Sequence, residues 1–173
     1  PWGTLAENGV GKFADFSDSA LASIRELGVS HIWYTGVLHH ASVTDYSAYG
    51  IPGDDPDVVK GRAGSPYAIR DYYNVDPDLA TDPAQRLDEF RALIARSHAH
   101  GLRVIIDIVP NHVARGYQSS YRGAPSLGAN DDRSVEYARD NQFYYIPGQD
   151  FQVPAWPADY RPLGGEAHPL VDG

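Results

Sequence analysis

Three polar residues lie within or just after an apolar run late in the first two thirds of the chain: Asp107, Asn111 and His112 in Gly101-Leu-Arg-Val-Ile-Ile-Asp-Ile-Val-Pro-Asn-His112. Val104, Ile105, Ile106, Ile108 and Val109 make the run nearly continuous. That is the pattern of a strand buried between helices in a parallel sheet. A carboxylate inside such a run is costly to bury alone, so Asp107 is expected to have a partner from another element. Asn111 and His112 fall just past the strand, where α/β sheets place their chemistry. An imidazole there can both donate and accept hydrogen bonds to hydroxyl groups.

A second cluster is Ser65-Pro-Tyr-Ala-Ile-Arg-Asp71-Tyr-Tyr-Asn-Val-Asp76. It combines an aromatic ring, Tyr67, with a carboxylate, Asp71, four positions on. The chain has 12 Tyr and 3 Trp. Aromatic faces suit sugar rings, and Tyr also packs its ring while keeping its hydroxyl wet.

The elements that must position these groups have local signals. Ser17 to Leu27 read as a helix capped by Ser17, with a stripe of Ala20, Leu21, Ile24 and Leu27, and Gly28 ends it. Val29 to Val37 read as a strand. Residues 38–81 read as one long ordered loop, rich in Gly, Pro, Asp and Tyr. A second helix is expected over Pro83–His100. Asp82 caps it, Pro83 takes its first position, and Gln85 completes a capping box. Its buried face is Leu87, Phe90, Leu93, Ile94 and Ser97. Gly101 ends it, and the strand 102–109 follows. Two helix–Gly–strand units in succession predict parallel pairing, in a barrel or an open sheet. After Pro110 the pattern turns irregular, with one short helix candidate near Arg133–Arg139.

The two quoted motifs, with His31-Ile-Trp-Tyr-Thr-Gly-Val37, resemble in type and order the α-amylase family, glycoside hydrolase family 13. The resemblance covers most of the chain. It implies an incomplete (β/α)8 TIM barrel holding the second and third strands with their helices. Residues 1–112 would form that part, and 113–173 the start of an irregular inserted domain. A complete barrel takes roughly 250 residues, so at 173 residues the chain is expected to be part of a longer polypeptide. The first strand would precede Pro1 and the fourth would follow Gly173.

The same resemblance implies roles. Tyr67 would pack under the sugar next to the cleaved bond, and His112 would hydrogen-bond that sugar. Asn111 matches a position that binds calcium in many amylases, through an oxygen of the kind calcium prefers. Asp131, Asp132, Asp140 and Asp150 are possible co-ligands. Glycoside hydrolysis uses two carboxylates, about 5–5.5 Å apart for retention and about 6.5–9.5 Å for inversion. Asp107 is tempting as one of them. The family pattern instead makes it a buried support for the site, paired with an Arg of the next strand. The nucleophile and the acid/base would come from the fourth and fifth strands, so no catalytic residue is assigned within this chain. Alone, it is expected to be inactive.

The implied activity is retaining cleavage of α-glucosidic bonds in an α-glucan or oligosaccharide, as hydrolysis or transglycosylation. The remainder of the polypeptide is needed to complete the barrel. Two alternatives stay open: a non-catalytic carbohydrate-binding or scaffold relative on the same barrel, and a metal-dependent α/β-barrel hydrolase using the His residues. The net charge of −9, from 23 acidic and 14 basic residues, includes no basic stripe and argues against nucleic acid and anionic membranes. The longest apolar runs are too short to span a bilayer. With no Cys, disulfide and thiol chemistry are excluded and the compartment is left open. His98 and His100, two apart on a helix, face different directions and read as helix-end residues. His39 and His40 read as cleft-wall residues, and Asp76-Pro-Asp78 as a turn.

Overall fold

The computed structural model describes residues 10–54, 56, 59–114, 116–124 and 127–148. A 3-10 turn, Phe13–Asp15, precedes helix α1, Asp18–Glu26. Ser17 caps α1 by accepting from the Ala20 N–H at 3.4 Å. Leu21 is fully buried, but Leu27 is 79% exposed and does not extend the stripe. The helix stops at Glu26, so Leu27 leaves the 3.6-residue period and turns outward before Gly28, whose φ is 84°.

Strand β1, His31–Tyr34, is shorter than the apolar run that announces it. Gly36, at φ 66°, turns the chain. The stretch expected as loop holds a hairpin instead. Strand β2, Leu38–His40, pairs antiparallel with β3, Ile69–Val75, with irregular register on both sides of His39. The sequence signal is weak because β2 has only three residues and its partner lies across a long excursion. Gly64 belongs to that excursion. Its φ is 73°, and a Cβ there would stand 1.8 Å from the Ala41 carbonyl oxygen.

Helix α2, Arg86–Ala99, follows a 3-10 turn at Pro83–Gln85. Asp82 caps this turn by accepting from the Ala84 N–H at 2.9 Å. The reach-back expected of Gln85 is made by Glu89, which accepts from Thr81 N–H at 2.8 Å and Asp82 N–H at 2.7 Å. The tight first turn moves the reciprocal position one turn further along. Phe90, Leu93 and Ser97 are buried, with Leu87 and Ile94 packed beside them. Gly101, at φ 71°, leads into β4, Arg103–Ile106.

Strands β1 and β4 pair in parallel, with His31 opposite Arg103 and Tyr34 opposite Ile106. The helix-linked crossover is thus realised. The core lies between α2, the first 3-10 turn and the ends of β1 and β3: Phe13, Tyr34, Val37, Val75, Ala80, Phe90 and Leu93. Phe13 packs on Phe90 at 5.2 Å between ring centroids, and Phe16 meets Tyr34 edge-on at 5.0 Å.

Two further expectations fail. The 102–109 run is not buried throughout: Leu102 is 1% exposed, but Ile105, Ile106 and Ile108 are 46%, 40% and 57% exposed. Among the described residues β4 has one neighbouring strand, β1, and a parallel strand is enclosed only when elements stand along both edges and faces. Residues 133–139 form turns rather than a helix. Asp132 accepts from both the Ser134 N–H, at 2.9 Å, and its hydroxyl, at 2.6 Å. Asp and Ser side chains that bond nearby backbone compete with helix formation.

Candidate functional site

Tyr67 sits in the turn from Ser65 to Ala68, closed by Ala68 N–H donating to the Ser65 carbonyl at 2.9 Å. The residue is 43% exposed. The turn runs directly into β3. From there the chain is stitched to the segment after β4. The Tyr72 hydroxyl shares its one proton between the carbonyls of Val109, at 2.8 Å, and His112, at 3.1 Å. Ala114 N–H donates to the Ile69 carbonyl at 2.7 Å, and Gln118 N–H to that of Arg70 at 2.9 Å. The Tyr67 motif and the His112 motif, 45 residues apart, are therefore one hydrogen-bonded unit.

His112 and Asn111 are exposed, and the Asn111 amide nitrogen lies 3.4 Å from His112 Nδ1. Asp107 is half-buried and has no hydrogen bond or ion pair among the described residues. Its expected partner is not supplied there. No three His, Cys, Asp or Glu side chains gather at one point among the described residues. Asp131 is already engaged by the N–H groups of Gln142 and Phe143 and by the Tyr145 hydroxyl, each at 3.0 Å. Asp132 holds the Ser134 turn. Asp150 lies outside the described residues.

Sequence reasoning missed a second polar cluster on the hairpin. His39 is 7% exposed on β2, opposite Asp71 on β3. Arg70 is 5% exposed and ion-paired with Asp54. Asp71 is 2% exposed and accepts from the N–H groups of Tyr73, at 2.8 Å, and Ser120, at 3.0 Å. These three, with Arg86 and Gln118, line a cavity of about 210 Å3. Burial pushes the His39 imidazole down to about 4, helped by the cations of Arg86 and Arg70. Adjacent His40 faces Asp76, with Nδ1 3.1 Å from its carboxylate. Asp76 is 1% exposed, also accepts from Asp78 N–H at 2.9 Å, and is pushed up by burial. The Asp76-Pro-Asp78 turn is as expected; the buried contact of Asp76 with His40 is not. The Arg70-Asp71 pair on an apolar-bounded strand was the available signal.

A parallel βαβ unit carrying an aromatic turn and an Asn-His pair, bound together through Tyr72, defines a piece of an α/β enzyme-type sheet with its polar groups past the strand ends. The chain belongs to the α-amylase family: the family model described as alpha amylase, catalytic domain, matches residues 8–161. It is 40% identical over 78 residues to a glycogen debranching enzyme of Klebsiella pneumoniae strain 342, covering 43% of this chain and 11% of that protein. It is 29% identical over 132 residues to a cyclomaltodextrin glucanotransferase of Bacillus sp. strain 1011, covering 73% and 16%. It is 27% identical over 151 residues to an alpha-amylase of Streptomyces lividans, covering 86% and 13%. The chain thus spans between 11% and 16% of the length of these relatives.

Proposed function

We propose that this chain is the part of an α-glucan-active glycosidase that binds sugar and supports the site, within a (β/α)8 barrel whose reacting carboxylates lie on other strands. The observation that carries the reading is the family match over residues 8–161. The stitching of the Tyr67 turn to His112 supports it. The names of the relatives, a debranching enzyme, a cyclomaltodextrin glucanotransferase and an amylase, share α-glucan chemistry.

In this reading residues 1–112 belong to the barrel and 113–173 begin an inserted unit. Tyr67 offers its exposed ring to the face of a glucose unit. His112 donates and accepts at that unit's hydroxyls, and the Tyr72 hydroxyl holds the backbone that presents it. Asp107 supports the site electrostatically and awaits an Arg. The bond is cleaved with retention through a covalent glycosyl-enzyme, with water or a sugar hydroxyl as acceptor. Calcium at Asn111 would be held by this side-chain oxygen together with further oxygen ligands, and no step runs through it. Calcium added to the chelator-treated protein must raise its Tm for that ion to stand.

The test uses the natural polypeptide that contains this chain. It is incubated with maltoheptaose while proton NMR follows the anomeric signals. Release of α-anomeric product first, then mutarotation, supports the retaining reading. β-Anomeric product overturns retention. Binding without turnover makes the protein a carbohydrate-binding relative. Turnover abolished by chelators and restored by zinc makes it a metal-dependent hydrolase.

A further inference from the structure

The turn that carries Tyr67 is held from strand β2 and the residues after it. Val43 N–H donates to the Arg62 carbonyl at 3.0 Å, and Ala41 N–H to that of Ala68 at 2.9 Å. Pro66 packs over Gly36, where a Cβ would stand 3.0 Å from the proline ring. These contacts use the backbone or bare packing. Among the described residues, one side chain from elsewhere bonds the segment 61–68: His40, whose Nε2 lies 2.9 Å from the Ala63 carbonyl. Gly64 follows at once, pressed against Ala41 and the His40 ring.

The His40 ring faces acceptors on both sides. Nδ1 lies 3.1 Å from an Asp76 carboxylate oxygen and 3.2 Å from the Leu38 carbonyl, while Nε2 faces Ala63. A ring with a proton on each nitrogen satisfies both sides. A neutral ring has one N–H and sets a lone pair against an oxygen on the other side. A hydrogen bond to a carboxylate is about twice as strong as one to a carbonyl. Asp76, at 1% exposure, has no water to turn to instead. The neutral ring therefore keeps its proton on Nδ1, and the bond given up is the one to Ala63.

The surrounding groups set the balance. Asp76, with Asp78 beyond it, favours the charged ring. Arg86 of α2, which feels the charge of Asp76, opposes it. His39 is neutral above about pH 4, with Arg70 and Asp71 around it. On the far side of Asp78, the Tyr46 phenol is pushed up by burial and stays uncharged, and the Lys12 ammonium donates to the Asp78 carbonyl.

We propose that His40 is a positioning residue for the Tyr67 ring, holding its turn through the Ala63 carbonyl when both imidazole nitrogens are protonated and releasing it when one is not. The effect on turnover rests on Tyr67 being the ring under the sugar; the hold itself does not.

The experiment uses the polypeptide containing this chain. Hydrogen exchange over 61–68, corrected for the intrinsic pH dependence of amide exchange, reads the hold without substrate. KM and kcat for maltoheptaose read its use, and circular dichroism checks the fold. Two variants split the ring. His40→Asn sets an amide where Nδ1 stands, too short for Ala63, and His40→Gln sets one where Nε2 stands, with no proton to lose. Protection in the parent should fall about fivefold between about pH 6 and pH 8, the scale of one hydrogen bond. It should be low throughout in His40→Asn and unchanged with pH in His40→Gln. KM should rise as protection falls, with kcat little altered, and a Tyr67→Ala background should abolish that response. Parent protection that ignores pH overturns the proposal. So does His40→Asn protection equal to the parent's at the lower pH, or a His40→Gln slope equal to the parent's, which decides the matter should His40→Asn not fold. Protection lost as expected with KM unmoved upholds the hold and sinks the stacking role of Tyr67 instead.

Discussion

The Tyr72 hydroxyl donates to the His112 carbonyl at 3.1 Å, fixing the backbone of an exposed imidazole from a strand 40 residues earlier. It also reaches the Val109 carbonyl at 2.8 Å. Burial pushes the phenol above its usual value, so it stays a donor across the working pH range. One side chain thus ties the hairpin to the segment that presents Asn111 and His112.

Tyr72→Phe keeps the ring, including its 5.9 Å approach to Tyr117, and deletes only the hydroxyl. Both released carbonyls have some access to water. The expected cost is about 1 kcal/mol in urea unfolding of the polypeptide containing the chain. KM for maltooligosaccharides should rise more than kcat falls. A change of kcat alone would show that the hydroxyl does not act through His112 placement.

In the proposed function Tyr67 offers a ring rather than a hydroxyl. Tyr67→Phe should leave kcat/KM near the parent value. Tyr67→Ala should lower it by at least about 1 kcal/mol, the scale of an aromatic stacking contact. Equal losses in both variants would mean that the hydroxyl, not the ring, is used.

Asp107 is expected to support and not to attack. Asp107→Asn should therefore reduce turnover without azide rescue. Recovery by azide, with the glycosyl azide of inverted anomer as product, would identify a missing nucleophile at this position.

His39 makes stability depend on acid. Its folded value is depressed to about 4 from an ordinary value near 6.5. The neutral form is the one the fold accepts. The stability is thus complete above about pH 6.5 and is lost as pH falls toward 4, where the folded imidazole also protonates. The shift of about 2.5 units corresponds to about 3 kcal/mol as an upper figure. Tm measured from pH 7 to 4 should fall, and His39→Gln should flatten that fall. An unchanged slope in the variant would place the acid sensitivity elsewhere.

Ser97 sits at 0% exposure inside α2. It donates to the Leu93 carbonyl at 2.9 Å and meets the Tyr34 hydroxyl at 3.2 Å. Ser97→Ala should cost about 1–3 kcal/mol, because the Tyr34 hydroxyl is left buried without this partner. Tyr34→Phe in the same background should recover part of the loss. A second change that adds further destabilisation would rule out the pairing.

The sequence by itself determined the features that depend on near neighbours. Ser17 and Asp82 cap, Gly28 and Gly101 stop, and the face Leu87, Phe90, Leu93, Ile94 and Ser97 packs, because these choices are settled within one or two helical turns. The parallel pairing of β1 and β4 followed from two helix-linked strands, since a crossover of that length permits little else. Family membership was legible in three motifs and their order.

The tertiary structure alone decided what depends on distant partners. Strand β2 is three residues long and exists because β3, which begins 29 positions after its end, pairs with it at an irregular register. That register sets His39 opposite Asp71, seals Arg70 against Asp54 and opens the cavity, none of which a local pattern can encode. The same holds for Tyr72, whose hydroxyl reads as ordinary until the backbone of His112 is brought to it. Exposure of Ile105 and Ile106 makes the converse point: an apolar run expresses a demand for burial, and only the elements around it decide whether the demand is met.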